Sequence, residues 1–97
     1  MTERDKFIAR MKLQLEEGKA ELQRLESKVG NAQASVREKY LQTIEELREK
    51  RVTAETKLEQ IERSGEEIWE DFKDEAERTG TAFKASMEVF RDFLDHS

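Results

Sequence analysis

Apolar residues recur along the first two thirds of the chain at spacings of three and four, with polar and charged residues between them. One face of an α-helix has this period, and a stripe sustained over several heptads is typical of a seam between two long helices. The pattern therefore predicts an all-α protein built around a coiled-coil seam. The seam positions are Ile8, Met11, Leu15, Leu22, Leu25, Val29, Ala32, Val36, Tyr40, Ile44, Leu47, Ala54, Leu58, Ile61 and Ile68.

The seam predicts one long coiled-coil helix over residues 1–63. Thr2 is suited to cap its start. Gly30 followed by Asn31 can end one helix and begin another. The apolar rhythm nevertheless continues through this pair, and a turn would normally reset its phase, so we favour a continuous helix. The alternative is a three-helix bundle with turns near residues 30 and 64.

A break is predicted at residues 64–65, where the sequence reads Ser-Gly-Glu-Glu. Ser64 and Glu67 have the spacing of a capping box, in which each side chain bonds the other residue's backbone N–H. Residues 66–97 should then form a shorter, acidic and aromatic-rich amphipathic helix. Its anchoring residues are predicted to be Trp69, Phe72, Phe83, Met87 and Phe90.

Helix lengths favour self-association. A helix over residues 2–63 would be about 93 Å long, whereas a second helix of about 29 residues would cover only about 44 Å of it. We therefore expect a homodimer, arranged as a helical hairpin, a dimeric coiled coil or a structure resembling a four-helix bundle. The predicted interface with a second copy or another protein is Ile8, Met11, Leu15, Leu22, Leu25, Val29, Val36, Tyr40, Ile44, Leu47, Leu58, Ile61, Trp69, Phe72, Phe83, Met87 and Phe90.

Composition narrows the function. Charged residues make up 42% of the chain and hydrophobic residues 35%, and proline is absent, which agrees with long helices rather than a thick core. The net charge is −5. Residues 1–65 hold 14 basic and 13 acidic residues, or +1, and residues 66–97 hold 4 and 10, or −6. An acidic region repels phosphate, so we expect no nucleic-acid partner.

The sequence predicts no catalytic site. The chain has no cysteine and a single histidine, so it offers no thiolate site and no two-histidine metal site. Asp95, His96 and Ser97 are triad residue types, but a terminal tail cannot hold the buried geometry that a triad needs. We expect a non-enzymatic protein with no cofactor, no metal and no catalytic residue.

The expected location is cytoplasmic. The N-terminus lacks the apolar run of a secretory signal, and no stretch approaches the roughly 18 apolar residues of a membrane span. The amphipathic helix over 66–94 leaves peripheral membrane association as an alternative. Interfacial helices usually carry Lys and Arg on the polar face, so the acidic character of this helix disfavours it.

Three stretches resemble a family of small bacterial coiled-coil proteins labelled as stress-response proteins. They are MTERDKFIARMKLQLEEGKAELQRLE, EKYLQTIEELREKRVTAETKLEQI and SGEEIWEDFKDE, the last containing Trp69. The resemblance implies a non-enzymatic helical protein, soluble or peripherally attached, that is linked to stress physiology. We thus expect a structural or protein-interaction protein that self-associates. The alternatives are binding to a lipid surface and adaptor or chaperone-like binding of another chain.

Overall fold

A computed structural model describes residues 1–96, and over that range the chain forms three helices of similar length. They are α1 (Glu3–Gly30, 28 residues), α2 (Ala34–Arg63, 30 residues) and α3 (Trp69–Asp95, 27 residues). All three pack against one another. The all-helical class expected from the seam is confirmed for the described residues.

Contacts at the two ends fix the directions of the helices. The Arg4 side chain of α1 reaches the Ile61 carbonyl at the end of α2, so these two helices are antiparallel. Tyr40, near the start of α2, packs on Phe90 near the end of α3, so these two helices are antiparallel as well. It follows that α1 and α3 run parallel, and the molecule measures 51 × 19 × 16 Å.

The first turn differs from the favoured prediction of one helix through residue 63. Helix α1 ends at Gly30, where the backbone N–H of Asn31 donates to the carbonyl of Lys28 and the backbone N–H of Ala32 donates to the carbonyl of Val29. Glycine costs about 1 kcal/mol relative to alanine inside a helix, which weakens the helix here, and this turn is made with no positive φ. The chain reverses over residues 31–33, so the alternative with turns near residues 30 and 64 describes the structure.

The second turn is held by a side chain from α1. One terminal nitrogen of Arg4 donates to the carbonyls of Ile61, Glu62 and Ser64, at 3.1, 2.7 and 3.0 Å. The last carbonyls of a helix have no partner within it and carry partial negative charge. The two N–H groups on this nitrogen are shared among the three carbonyls, so the guanidinium ties the start of α1 to the end of α2.

The predicted caps have different outcomes. Thr2 caps α1, because its hydroxyl oxygen accepts from the backbone N–H of Asp5 at 3.1 Å. The capping box at Ser64 does not form: this hydroxyl donates instead to the Ile61 carbonyl at 2.7 Å. Helix α3 accordingly begins at Trp69 rather than at residue 66, and Ile68 occupies its N-cap position without a side-chain bond.

One continuous core runs between the helices. It contains Phe7, Met11, Leu15, Leu22, Leu25, Val29, Ile44, Leu47, Ala54, Leu58, Ile61, Trp69, Ala76, Phe83, Met87 and Phe90. No polar or charged residue of the described chain is buried with them. The stability of this fold therefore depends on apolar burial rather than on a buried polar network.

Glycines bring α1 and α3 close together. A Cβ atom on Gly18 would lie 2.4 Å from Cε2 of Phe83, so the aromatic ring of α3 fills the space above this glycine. A Cβ atom on Gly80 would lie 3.2 Å from Cε of Met11 in the same way. Between Leu15 and Leu22 of the seam, Gly18 is thus covered by the Phe83 side chain of α3.

Ion pairs join the helices at their exposed edges. Lys28 of α1 contacts Asp95 of α3 at 2.6 Å, and Lys57 of α2 contacts Glu75 of α3 at 2.7 Å. The hydrogen bond from Lys28 lowers the pKa of the Asp95 carboxyl, and the one from Lys57 lowers the pKa of Glu75. Because these carboxylates are exposed, such pairs contribute little to the free energy of unfolding and mainly favour one alignment of the helices.

Candidate interaction surface

The residues predicted to form an interface are largely used inside the single chain. Thirteen of the seventeen are buried in its core, and Ile8, Tyr40 and Phe72 are half-buried against it. Val36 is exposed. The expected dimer depends on a seam that α3 cannot cover, yet α1 and α2 fold back on each other and cover it themselves. The seam therefore gives no reason to expect a homodimer, and homodimerisation stays a prediction.

Large apolar side chains remain exposed on all three helices: Leu13 on α1, Val36, Leu41 and Val52 on α2, and Val89 and Phe93 on α3. Val89 is 70% exposed and Phe93 is 56% exposed, and they lie one helical turn apart on the same side of the helix. Ala82 and Ala85 precede them at helical spacing and are also exposed. We call these four residues the outer face of α3.

Aromatic contacts place the end of the outer face beside α2. The ring of Phe93 packs edge-on against the ring of Tyr40, with centroids 5.9 Å apart. Phe90 contacts the same tyrosine ring at 6.0 Å but points into the core. Val36 is exposed one turn before Tyr40 on α2. Phe93 is thus held in place by an aromatic neighbour while more than half of its surface faces solvent.

Carboxylates dominate the other end of α3 and the turn before it. Residues 66–77 include seven Asp or Glu side chains and one Lys. Two of the seven, Glu75 and Glu77, pair with Lys57 and Arg10. The other five are exposed and take part in none of the ion pairs found among residues 1–96: Glu66, Glu67, Glu70, Asp71 and Asp74. We call these five residues the free carboxylates.

A shallow depression connects the free carboxylates with the outer face. It is lined by Asp74, Glu77, Arg78, Thr81, Ala82 and Ala85, all from α3. Short side chains at the last three positions keep the surface low, so a second helix could approach the α3 backbone closely there. Along this side of α3 the residues therefore change from acidic to small to apolar, and exposed Glu88 and Asp92 lie beside the apolar end.

A second concave region lies between α1 and α3 and has a volume of about 210 Å³. Its floor is apolar, formed by residues such as Leu15, Phe83 and Met87, whereas Glu17 and Lys84 stand among its walls. Gly18 and Gly80 also line this groove. Its walls carry both signs of charge, so it shows no preference for one kind of ligand.

Neither Val89 nor Phe93 belongs to the interface predicted from the sequence. The neighbours Phe83, Met87 and Phe90 follow the core stripe, whereas Val89 lies two residues beyond Met87 and so falls on a different side of the helix. Residues 82, 85, 89 and 93 form a second apolar stripe at helical spacing, and this stripe is the sequence signal for the outer face.

Within residues 1–96, no group of three or more His, Asp or Glu side chains is placed to hold a metal ion. Of the terminal triad types, Asp95 is bonded to Lys28, His96 is exposed, and Ser97 lies outside the described residues. None of the three helices has a stretch apolar and long enough to cross a membrane.

Comparison of the chain with protein-family models, with curated proteins and with solved structures finds no match in any of the three. The resemblance to stress-response proteins therefore stays a prediction, and functional inference depends on the surface itself.

Proposed function

We propose that this protein is a non-enzymatic helical interaction module that binds another protein through the outer face of α3. The observation that carries the proposal is the exposure of Val89 and Phe93 on one side of a helix whose opposite side already supplies the core. Fully burying an aliphatic or aromatic side chain is worth about 1.5–3 kcal/mol. These two side chains can therefore anchor a partner without disturbing the fold.

The size of the surface suits a helical partner. Helix α3 is about 40 Å long, and one helix packed along it could approach the roughly 800 Å² per partner of an ordinary stable interface. Aromatic residues including phenylalanine are enriched at protein interfaces, so Phe93 is the expected main anchor. The same features support adaptor or chaperone-like binding more directly than they support self-association.

Three other expectations do not depend on the outer face of α3. Self-association through the long seam would require residues that the single chain already buries. A link to stress physiology follows only from the sequence resemblance. Cytoplasmic location is likewise a prediction from the sequence.

The double substitution Val89→Gln and Phe93→Gln tests the proposal. Glutamine is a good helix former, so we expect the variant to fold, while partner binding should weaken at least tenfold because two anchors are lost. The measurement is affinity capture with the full chain as bait, followed by titration of the purified captured protein. Leu13→Gln is the matched control, since Leu13 is 61% exposed but lies on α1.

The proposal predicts that one protein is retained by the wild type and by the Leu13→Gln control but released by the α3 variant. Equal retention by all three baits would show that the outer face of α3 is not the binding surface. Loss with the Leu13→Gln control alone would place the surface on α1 and would also contradict the proposal.

A further inference from the structure

Building on the proposed function, we infer that the partner of α3 is a basic amphipathic helix whose Lys or Arg side chains face the free carboxylates while its apolar side chains pack on the outer face. The partner must match two separate features of this surface at once. Apolar anchors lie at Val89 and Phe93, and exposed acidic charge precedes them on the same helix.

The distances allow one helix to reach both regions. Residues 74 and 89 are 15 positions apart, which corresponds to about 22 Å along the helix axis. A partner helix of about 20 residues is roughly 30 Å long and spans this separation. The depression over Thr81, Ala82 and Ala85 lies between the two regions, so the partner can remain in contact along the whole length.

Charge argues against a second copy in this position. Antiparallel pairing of two α3 helices would place the carboxylates of one copy on the apolar Val89 and Phe93 of the other. Parallel pairing would place carboxylates against carboxylates. Both arrangements are unfavourable, because like charges repel and a carboxylate loses hydration against an apolar surface. A basic helix removes both costs.

Charge also argues against a lipid surface. Helices that lie on membranes usually present Lys and Arg to anionic headgroups, and the free carboxylates would be repelled by them. Arg78 is the single basic residue in the depression. An acidic residue of the partner opposite Arg78 would set the register and direction of binding, as paired charges do at helix interfaces.

A peptide titration tests the inference. The probe is a synthetic amphipathic helix of about 20 residues (roughly 30 Å) with a leucine stripe and lysines flanking one end. Its counterpart carries glutamates at the lysine positions. Each peptide is titrated into the full chain labelled with ¹⁵N, and amide shifts are recorded. We expect the lysine peptide alone to bind, with shifts confined to residues 66–93, and to bind at least tenfold more weakly at high salt.

Two variants of equal net charge sharpen the test. Asp71→Asn with Asp74→Asn should weaken the lysine peptide about tenfold, since it removes two free carboxylates. Glu38→Gln with Glu59→Gln removes the same charge from exposed positions on α2 and should leave binding unchanged. Circular dichroism should show that both variants remain helical.

Several other outcomes would overturn the inference. Equal binding of both peptides at Val89 and Phe93 would overturn the basic-partner inference and leave the proposed function standing. No shifts in α3 with the lysine peptide at millimolar concentration would also overturn the inference, while the capture experiment separately judges the proposed function. A dimer abolished by Val89→Gln and Phe93→Gln, or α3 signals lost on phosphatidylcholine vesicles, would assign the surface to another occupant.

Discussion

Replacement of Phe83 by alanine should lower the free energy of unfolding by about 3–5 kcal/mol. Phe83 is 2% exposed, and its ring packs into the space above Gly18, between α1 and α3. The substitution removes the buried ring and leaves a cavity that rigid helices cannot collapse to fill. A domain of ordinary stability has only about 5–15 kcal/mol in total, so the variant should be partly unfolded at 37 °C.

Phe93→Ala is the control for this prediction. It removes the same side chain from the same helix at a site that is 56% exposed, so the expected loss is well below that of Phe83→Ala. Urea unfolding followed by circular dichroism measures both. Equal losses at the two positions would mean that Phe83 does not fill the interface between α1 and α3.

The second large effect is expected for Gly18→Ala, which should destabilise the protein by up to about 2 kcal/mol. Alanine is the better helix former by about 1 kcal/mol, but overpacking a core costs about 1–3 kcal/mol. Overpacking should prevail here, because the added Cβ would lie 2.4 Å from a buried aromatic ring.

Gly30→Ala provides a control of opposite sign. A Cβ atom on Gly30 would have no neighbour within 4 Å, and no residue of the described chain needs a positive φ. Alanine there should therefore be neutral or slightly stabilising. A further variant combines Gly18→Ala with Phe83→Leu, whose smaller side chain should relieve part of the Gly18→Ala cost. Stabilisation by Gly18→Ala alone would contradict the close approach of α1 and α3.

Much of this fold can be predicted from the spacing of apolar residues, because helical period decides which side of each helix is buried. Leu22, Leu25, Ile44, Leu47 and Ile61 all lie on the predicted stripe, and all are fully or nearly fully buried. The cap at Thr2 is similarly local, since an N-cap needs only the side chain and the next three residues.

The reversal at Gly30 could not be predicted from the rhythm alone. The turn occupies only residues 31–33, which are too few to disturb the count between Val29 and Val36, so a folded turn and a continuous helix give the same pattern. Whether Gly30 ends a helix depends on whether α1 and α2 gain more by packing together than by remaining one rod. That is a tertiary effect and lies outside the local sequence.

The candidate surface was harder to predict for a related reason. Exposure of Val89 follows from the position of its side chain relative to Phe83 and Met87, and this can be read from helical spacing once the core side of α3 is known. The contact between Tyr40 and Phe93 joins residues that are distant in the chain. Only the packing of α2 against α3 reveals that Phe93 is held at an edge instead of lying in the core.

Small-angle X-ray scattering of the full chain in dilute solution tests the central claim most directly, namely that a single chain folds back twice to bury its own seam. The structure predicts a compact particle, with a Cα radius of gyration of 15.5 Å and a longest dimension of 51 Å before hydration is added. A maximum dimension near the roughly 93 Å of an uninterrupted helix over residues 2–63 would contradict it.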